Sequence, residues 1–340
     1  MVFYKTNSPN YVNHENAINN MTTYNRRTFI KGMTTVTAAI PFTNVMASSI
    51  ARPLKVKKYS INFFTKPLDK YGQEFMMDTL KMAGAEGMDL TVRPAGSVLP
   101  ENAKRDLPKV AAMAKRKGLD FEMMATNINN PSIPFAEEVL RQAAANGVKH
   151  YRLAYYQYDK QEGIQKSTDR IKKQMLELAE LNKNLGIQGG YQNHTGTKFG
   201  SAMWDLWEIL RDIPVREISS QFDIRHANCE ASNSWIISME RLAKNIGSLA
   251  LKDFTWEMHG NKAKVKSVPL GEGLIDFDLF FRSIKKFGIV APITLHTEYP
   301  LLKRDEENLS LLKKQKIIAS VLKKDISFIK RNLSKYQLIP

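Results

Sequence analysis

The sequence predicts an α/β protein built as a closed parallel (β/α)8 barrel, and three observations carry that reading. Short strand-like runs and longer amphipathic runs succeed one another eight times between Tyr59 and the C-terminus. Capping residues and glycine stops punctuate the amphipathic runs where helix termini need them. Along the short runs, polar side chains two residues apart share one parity toward the C-terminal end, and apolar ones hold the other. Eight alternating units of this length close into a barrel wrapped by helices. An open doubly wound sheet is the competing architecture, but no Gly-x-Gly-x-x-Gly phosphate loop follows any of the strands.

In order, Tyr59–Thr65 precedes a helix over Gln73–Ala83 that Gly84 closes. Gly87–Val92 precedes Ala103–Lys117 and Gly118; Phe121–Thr126 precedes Pro134–Ala145 and Gly147. His150–Tyr155 precedes the long helix Ser167–Leu185, stopped by Gly186. Ile187–Tyr191 precedes Ala202–Ile213, and Ile218–Phe222 precedes Ser234–Asn245. Gly247–Leu251 precedes Phe277–Phe287, and Ile293–Glu298 precedes a long C-terminal helix from about Glu307. Asp89, Thr91 and Arg93 share a parity, as do Gln192 with His194, Ser219 with Gln221 and Asp223, Ala250 with Lys252, and Thr294 with His296 and Glu298. A barrel with a greasy outside and a polar C-terminal mouth reads this way, and the mouth is where chemistry sits in such a barrel.

The N-terminal region reads differently. Asn25-Arg26-Arg27-Thr28-Phe29-Ile30-Lys31 precedes a short apolar, Thr/Ala-rich run, and Val45-Met46-Ala47 supplies small residues at cleavage spacing. Together these describe an export signal over residues 1–47 of the twin-arginine type, which places the mature protein in the periplasm with no membrane span left after cleavage. A basic linker over 48–58 then leads into a single barrel domain, 59–340.

At 340 residues and 43% apolar content the chain can bury a large core. The single Cys229 excludes a disulfide framework within the chain and a Cys-based zinc site. The formal charge of +16 is spread out: 303–340 holds ten Lys/Arg against four Asp/Glu, without a basic run interleaved with aromatics. That pattern is a solvated basic face rather than a nucleic-acid interface.

Phe222-Asp223-Ile224-Arg225-His226 ends the sixth strand, and Gln192-Asn193-His194, Lys252-Asp253 and His296-Thr297-Glu298 end its neighbours. A lone buried histidine is usually a hydrogen-bonded core residue; three of six at barrel-strand ends instead mark a site. Arg93 and Arg152 sit on the inward parity, to neutralise buried carboxylates or to bind substrate. Tyr155 and Tyr156 either stack on a ring-shaped ligand or pack, Trp204 and Trp207 read as core or interface, and Asp253 reads as a cap or an ion-pair partner.

These strand ends, with Pro269-Leu270-Gly271-Glu272-Gly273-Leu274-Ile275-Asp276-Phe277, resemble the xylose-isomerase-like TIM barrel superfamily, and within it the sugar phosphate isomerase/epimerase type, from about Lys58 to Leu302. The resemblance implies one divalent metal on a Glu of the fifth strand, an Asp of the sixth, a His of the seventh and a Glu of the eighth. Here those positions carry Gln192, Asp223, Ala250 and His296. Asp223, His194, His296 and Gln192 would hold Mn, Zn or Fe sooner than Mg; equally, Lys252 would take the cation's place.

On this resemblance the protein is an exported sugar isomerase or epimerase acting through an enediolate. Glu298 is the base, with His296 the alternative; Lys252 is the electrophile or proton donor; and Arg225, His226, Arg152, Arg93 and Tyr156 contact the sugar. The neighbouring alternatives are a lyase that eliminates from a keto-sugar or keto-glycoside made by a partner oxidoreductase, and a non-catalytic carbohydrate-binding barrel. A homodimer is compatible with the long C-terminal helix.

Overall fold

The computed structural model describes residues 59–339, so the predicted export segment 1–47 and the linker 48–58 lie outside the described residues. The eight predicted strands form one closed parallel barrel. They are β1 (Ile61–Phe64), β2 (Gly87–Val92), β3 (Asp120–Thr126), β4 (His150–Arg152), β5 (Gln188–Gln192), β6 (Ile218–Asp223), β7 (Ile246–Leu251) and, last in the chain, β10 (Ile293–Leu295). The neighbour order β1-β10-β7-β6-β5-β4-β3-β2 closes the ring. Register brings the polar ends level: Phe64 pairs with Asp89, Asp223 with Ala250, and Thr294 with Ala250.

The helices are α1 (Gln73–Ala83), α2 (Ala103–Lys117), α3 (Ala136–Ala145), α4 (Gly163–Leu185), α5 (Met203–Leu210), α6 (Ile224–Ala231), α7 (Trp235–Leu242), α8 (Phe277–Phe287) and α9 (Leu311–Lys335). Each lays apolar side chains on the outward face of the sheet, where Leu90, Val92, Leu249 and Leu251 are fully buried. The stop predicted at Gly186 is a residue in the left-handed conformation, φ 66°, that ends α4. The C-terminal helix packs back on the first: Gln315 Nε2 donates to the Phe75 carbonyl (3.2 Å), and Lys330 Nζ donates to that of Gly84 (2.8 Å). Among the described residues no helix is long and apolar enough to cross a membrane.

Two elements depart from the predicted pattern. An antiparallel hairpin, β8 (Asp253–His259) with β9 (Lys262–Val268), projects from the end of β7 and is largely exposed at its tip. Helix α6 starts directly on Asp223, so the stretch 224–231 is helix rather than loop. The fourth and eighth strands are shorter than predicted, ending at Arg152 and Leu295. The residues after them are thereby free to turn into the mouth.

Candidate active site

Asp223 is both the last residue of β6 and the N-cap of α6, and these two roles fix both of its oxygens. Oδ1 accepts the His226 backbone N–H at 3.0 Å, the usual capping bond. Oδ2 accepts from Gln192 Nε2 at 2.7 Å and faces the Lys252 ammonium at 3.0 Å. Asn193 clamps the ends of β5 and β6 together: its side chain accepts the Asp223 N–H (2.8 Å) and donates to the Asp223 carbonyl (3.0 Å).

Lys252, only 3% exposed, has three N–H donors and three acceptors. These are Asp223 Oδ2, Glu298 Oε1 at 2.9 Å and His226 Nε2 at 3.0 Å. The second oxygen of Glu298 lies 3.0 Å from Arg225 Nη2, which is also 3.1 Å from His226 Nε2. Both ring nitrogens of His226 face N–H donors: Lys252 and Arg225 at Nε2, and the Thr195 backbone N–H at Nδ1 (3.2 Å), with Thr195 Oγ1 3.1 Å from Nδ1. Burial, with the Lys252 and Arg225 charges, holds His226 well below the ordinary histidine pKa despite Asp223. Burial opposes ionisation of Asp223 and of Glu298. Lys252 and Arg225 outweigh it in both, assisted at Asp223 by His226, so both carboxyls titrate below their ordinary values. Of the two, Asp223 is completely buried, whereas the Glu298 side chain is 40% exposed.

The cluster continues across β5 and β4. Gln192 Oε1 accepts from Arg152 Nη1 (3.1 Å) and from the Tyr155 hydroxyl (2.7 Å), which fixes its amide nitrogen toward Asp223. Opposite lies a second lobe around Phe64 at the end of β1. His296 stacks on Phe64 with ring centres 4.4 Å apart, and the guanidinium carbons of Arg152 and Arg93 stand 5.0 and 5.8 Å from the same ring centre. Asp89 Oδ2 accepts from Thr294 Oγ1 at 2.9 Å and is 3.8 Å from His296 Nε2, too far for a hydrogen bond. Both ring nitrogens of His296, Arg152 Nε, Asp89 Oδ1 and Thr297 Oγ1 are buried with no hydrogen-bond partner among the described residues. Burial lowers the pKa of His296.

The rim is tied down by two more carboxylates. Asp253 behaves as the cap the sequence suggests: it accepts from the backbone N–H groups of Phe254, Gly271, Gly273 and Ile275 at 2.8–3.3 Å. A Cβ at Gly273 would sit 2.1 Å from Asp253 Oδ1, so only glycine fits there. Asp325 of α9 accepts from the Leu270 N–H (3.1 Å) and from the Tyr299 hydroxyl (2.7 Å), next to Glu298. Burial pushes its carboxyl up to about 6.

Of the residues singled out from sequence, Asp223, Lys252, Glu298, Arg225, His226, Gln192 and Arg152 form one connected cluster. His194 lies beside it, its ring 4.1 Å from that of His226 and its Nδ1 on the Thr195 carbonyl (2.8 Å). Arg93 and His296 belong to the second lobe. Tyr156 corrects the expectation of a sugar contact. It is 3% exposed, bonded to the Asn129 carbonyl and packed on Tyr191 and Phe199, so it is core; the neighbouring Tyr155 reaches the site instead. Phe64 was missed, and Asp89, read as sharing the inward parity of Thr91 and Arg93, was not assigned to the site.

The donor set does not fit a divalent ion. Gln192 presents its amide nitrogen, not its oxygen, to Asp223, and the Asp223 oxygen that would face an ion already faces an ammonium. His296 is turned to Phe64 and Asp89. No three His, Cys, Asp or Glu side chains stand together as a metal-holding group among the described residues.

The charged side chains of this closed parallel barrel converge at the C-terminal mouth, where barrel enzymes carry their active sites. The chain belongs to the xylose isomerase-like TIM barrel family, whose sequence profile matches residues 77–315. No curated protein matches it. Similar solved structures include D-allulose 3-epimerase from Methylomonas sp. in complex with D-allulose, at 14% identity and TM-score 0.59, covering 81% of this chain and 97% of that one. The apo form of 3-keto-D-glucoside 4-epimerase, YcjR, from E. coli is 11% identical with TM-score 0.57, over 77% and 98%. The IOLI protein with a bound zinc atom is 16% identical with TM-score 0.55, over 82% and 99%. At these identities the likeness is one of fold.

Proposed function

We propose that this protein is a carbohydrate isomerase or epimerase that moves a proton on the carbon beside a carbonyl, with Lys252 as its electrophile. The observation that carries this reading is the Asp223–Lys252–Glu298–Arg225 cluster at the barrel mouth. Enediolate chemistry needs a fixed positive donor where negative charge develops on oxygen, and a base beside the carbon. Lys252 is that donor, aimed by Asp223, Glu298 and His226. Glu298 is the base, being the carboxylate of the cluster open to a substrate. A carbonyl oxygen that accepts from Lys252 removes one of the two cationic partners of Glu298, so the base strengthens as the carbonyl is polarised. Arg225 keeps the other Glu298 oxygen and can share its donors with a sugar hydroxyl.

The substrates in the printed names of D-allulose 3-epimerase and 3-keto-D-glucoside 4-epimerase are sugars, which supports a carbohydrate here. Because the donor set does not fit a divalent ion, the Lys252 ammonium is the electrophile. The export signal read from residues 1–47 supports a reaction outside the cytoplasm, which cell fractionation of the full-length chain would test.

The test is incubation with a panel of keto- and aldo-sugars in heavy water, followed by NMR. Deuterium should enter at the carbon beside the carbonyl and should stop entering in Glu298→Gln. Release of an aglycone from a keto-glycoside would move the protein to the lyase reading. Absence of exchange in every sugar, with ligand affinity unchanged in Glu298→Gln, would leave a binding barrel.

A further inference from the structure

We infer that the sugar bound at this mouth is anionic, and that its carboxylate or phosphate oxygens sit between Arg93 and Arg152. The inference rests on the proposed carbohydrate site and names the class of sugar it takes. Two guanidinium groups approach one ring, Phe64, from the ends of β2 and β4. Neither has an ion pair among the described residues, although Asp69 and Asp89 lie near enough to act on the Arg93 charge and Asp89 Oδ1 has no hydrogen-bond partner. Asp69 accepts from the hydroxyls of Thr65, Thr91 and Ser97, and Asp89 accepts from Thr294. The Arg93 side chain makes no hydrogen bond at all among the described residues, while Arg152 spends one N–H on Gln192 and leaves Nε buried and unpartnered.

Two like charges held near one another cost free energy, which a bound anion recovers. Burial, then the Arg152 charge, lowers the pKa of Arg93 against the opposing pull of Asp69 and Asp89. A guanidinium presents a planar fork of donors that matches the paired oxygens of a carboxylate or phosphate. Beside the pair, on the same Phe64 ring, His296 offers two free ring nitrogens to the sugar's own oxygens. The Arg152–Gln192–Asp223 chain links this lobe to Lys252, so one small molecule can bridge an anion at Arg93 and a carbonyl at Lys252.

Calorimetric titration of the full-length chain with hexuronates, hexose phosphates and the matching neutral hexoses tests this directly. Anionic sugars should bind about 10- to 100-fold more tightly than their neutral counterparts, the worth of one or two charged hydrogen bonds. Arg93→Gln should bring that ratio close to one, and Arg93→Lys should restore part of it, with a thermal melt confirming that both variants fold. The hexuronate and phosphate arms decide which anion is taken. Equal binding of neutral and anionic sugars, a preference that survives Arg93→Gln, or binding of none of the panel would overturn the inference. A preference for anions without deuterium exchange would keep the subsite and remove the proton-transfer reading.

Discussion

The two halves of the barrel mouth differ in how far their charged and polar groups are matched. In the half formed by β5, β6, β7 and Glu298, the central charges are matched: Lys252 has three acceptors, and Asp223 and Glu298 each have partners at both oxygens, while Arg225 Nε and Gln221 Oε1 are buried without one among the described residues. In the half around Phe64, two ring nitrogens, a guanidinium nitrogen and a carboxylate oxygen are buried without partners. A matched buried network is rigid and costly to break, whereas an unmatched one costs stability until something fills it. The difference assigns preorganised chemistry to one half and ligand recognition to the other.

Substitutions in the two halves should therefore fail in different ways. Lys252→Met strands the fully buried Asp223 charge, so it should lower stability by about 3–5 kcal/mol as well as remove deuterium exchange. Chemical denaturation would check this, and a variant as stable as the parent would break the comparison. Glu298→Gln should slow exchange by about 10²-fold or more, with stability changed by no more than about 1 kcal/mol, because its side chain is partly exposed. His296→Phe replaces an unpartnered imidazole on Phe64 by another ring. It should leave stability within about 1 kcal/mol of the parent while weakening sugar binding, a pattern opposite to that of Lys252→Met.

The smallest effect concerns the rim. The folded-state pKa of Asp325 lies above its unfolded value, so the folded chain binds the extra proton and gains stability at low pH. That contribution is complete below the unfolded value of about 4 and is lost as pH rises through about 6. Asp223 and Glu298, with depressed values, act in the opposite sense: their contribution is present above about 4 and is lost as pH falls through their folded pKa values. The melting temperature of the parent minus that of Asp325→Asn should therefore fall between pH 4 and pH 6. A difference that stays flat over that window would remove Asp325 from the account.

Most of the barrel was legible in the sequence, because parallel strands beneath helices impose a strong alternation on residues such as Leu249 to Lys252. The hairpin over 253–268 was missed although its signal was present: Phe254, Trp256 and Met258 alternate before Gly260-Asn261, as a turn between two strands requires. It was masked by the expectation of a helix after every strand. The short helix α6 was missed because Asp223 reads equally as a strand end or an N-cap, and here it is both. Within the site, the charged cluster could be anticipated from strand ends. Which of the adjacent Tyr155 and Tyr156 turns inward could not, since β4 ends at Arg152 and parity carries no information beyond a ladder.

The central claim is that the Lys252 ammonium, not a metal ion, is the positive charge facing Asp223. Titration of Mn²⁺ and Zn²⁺ into chelator-treated protein, followed by calorimetry and elemental analysis, tests it most directly. The account predicts no stoichiometric ion at the mouth. One tightly held ion per chain, lost in His194→Ala or His296→Ala, would contradict it.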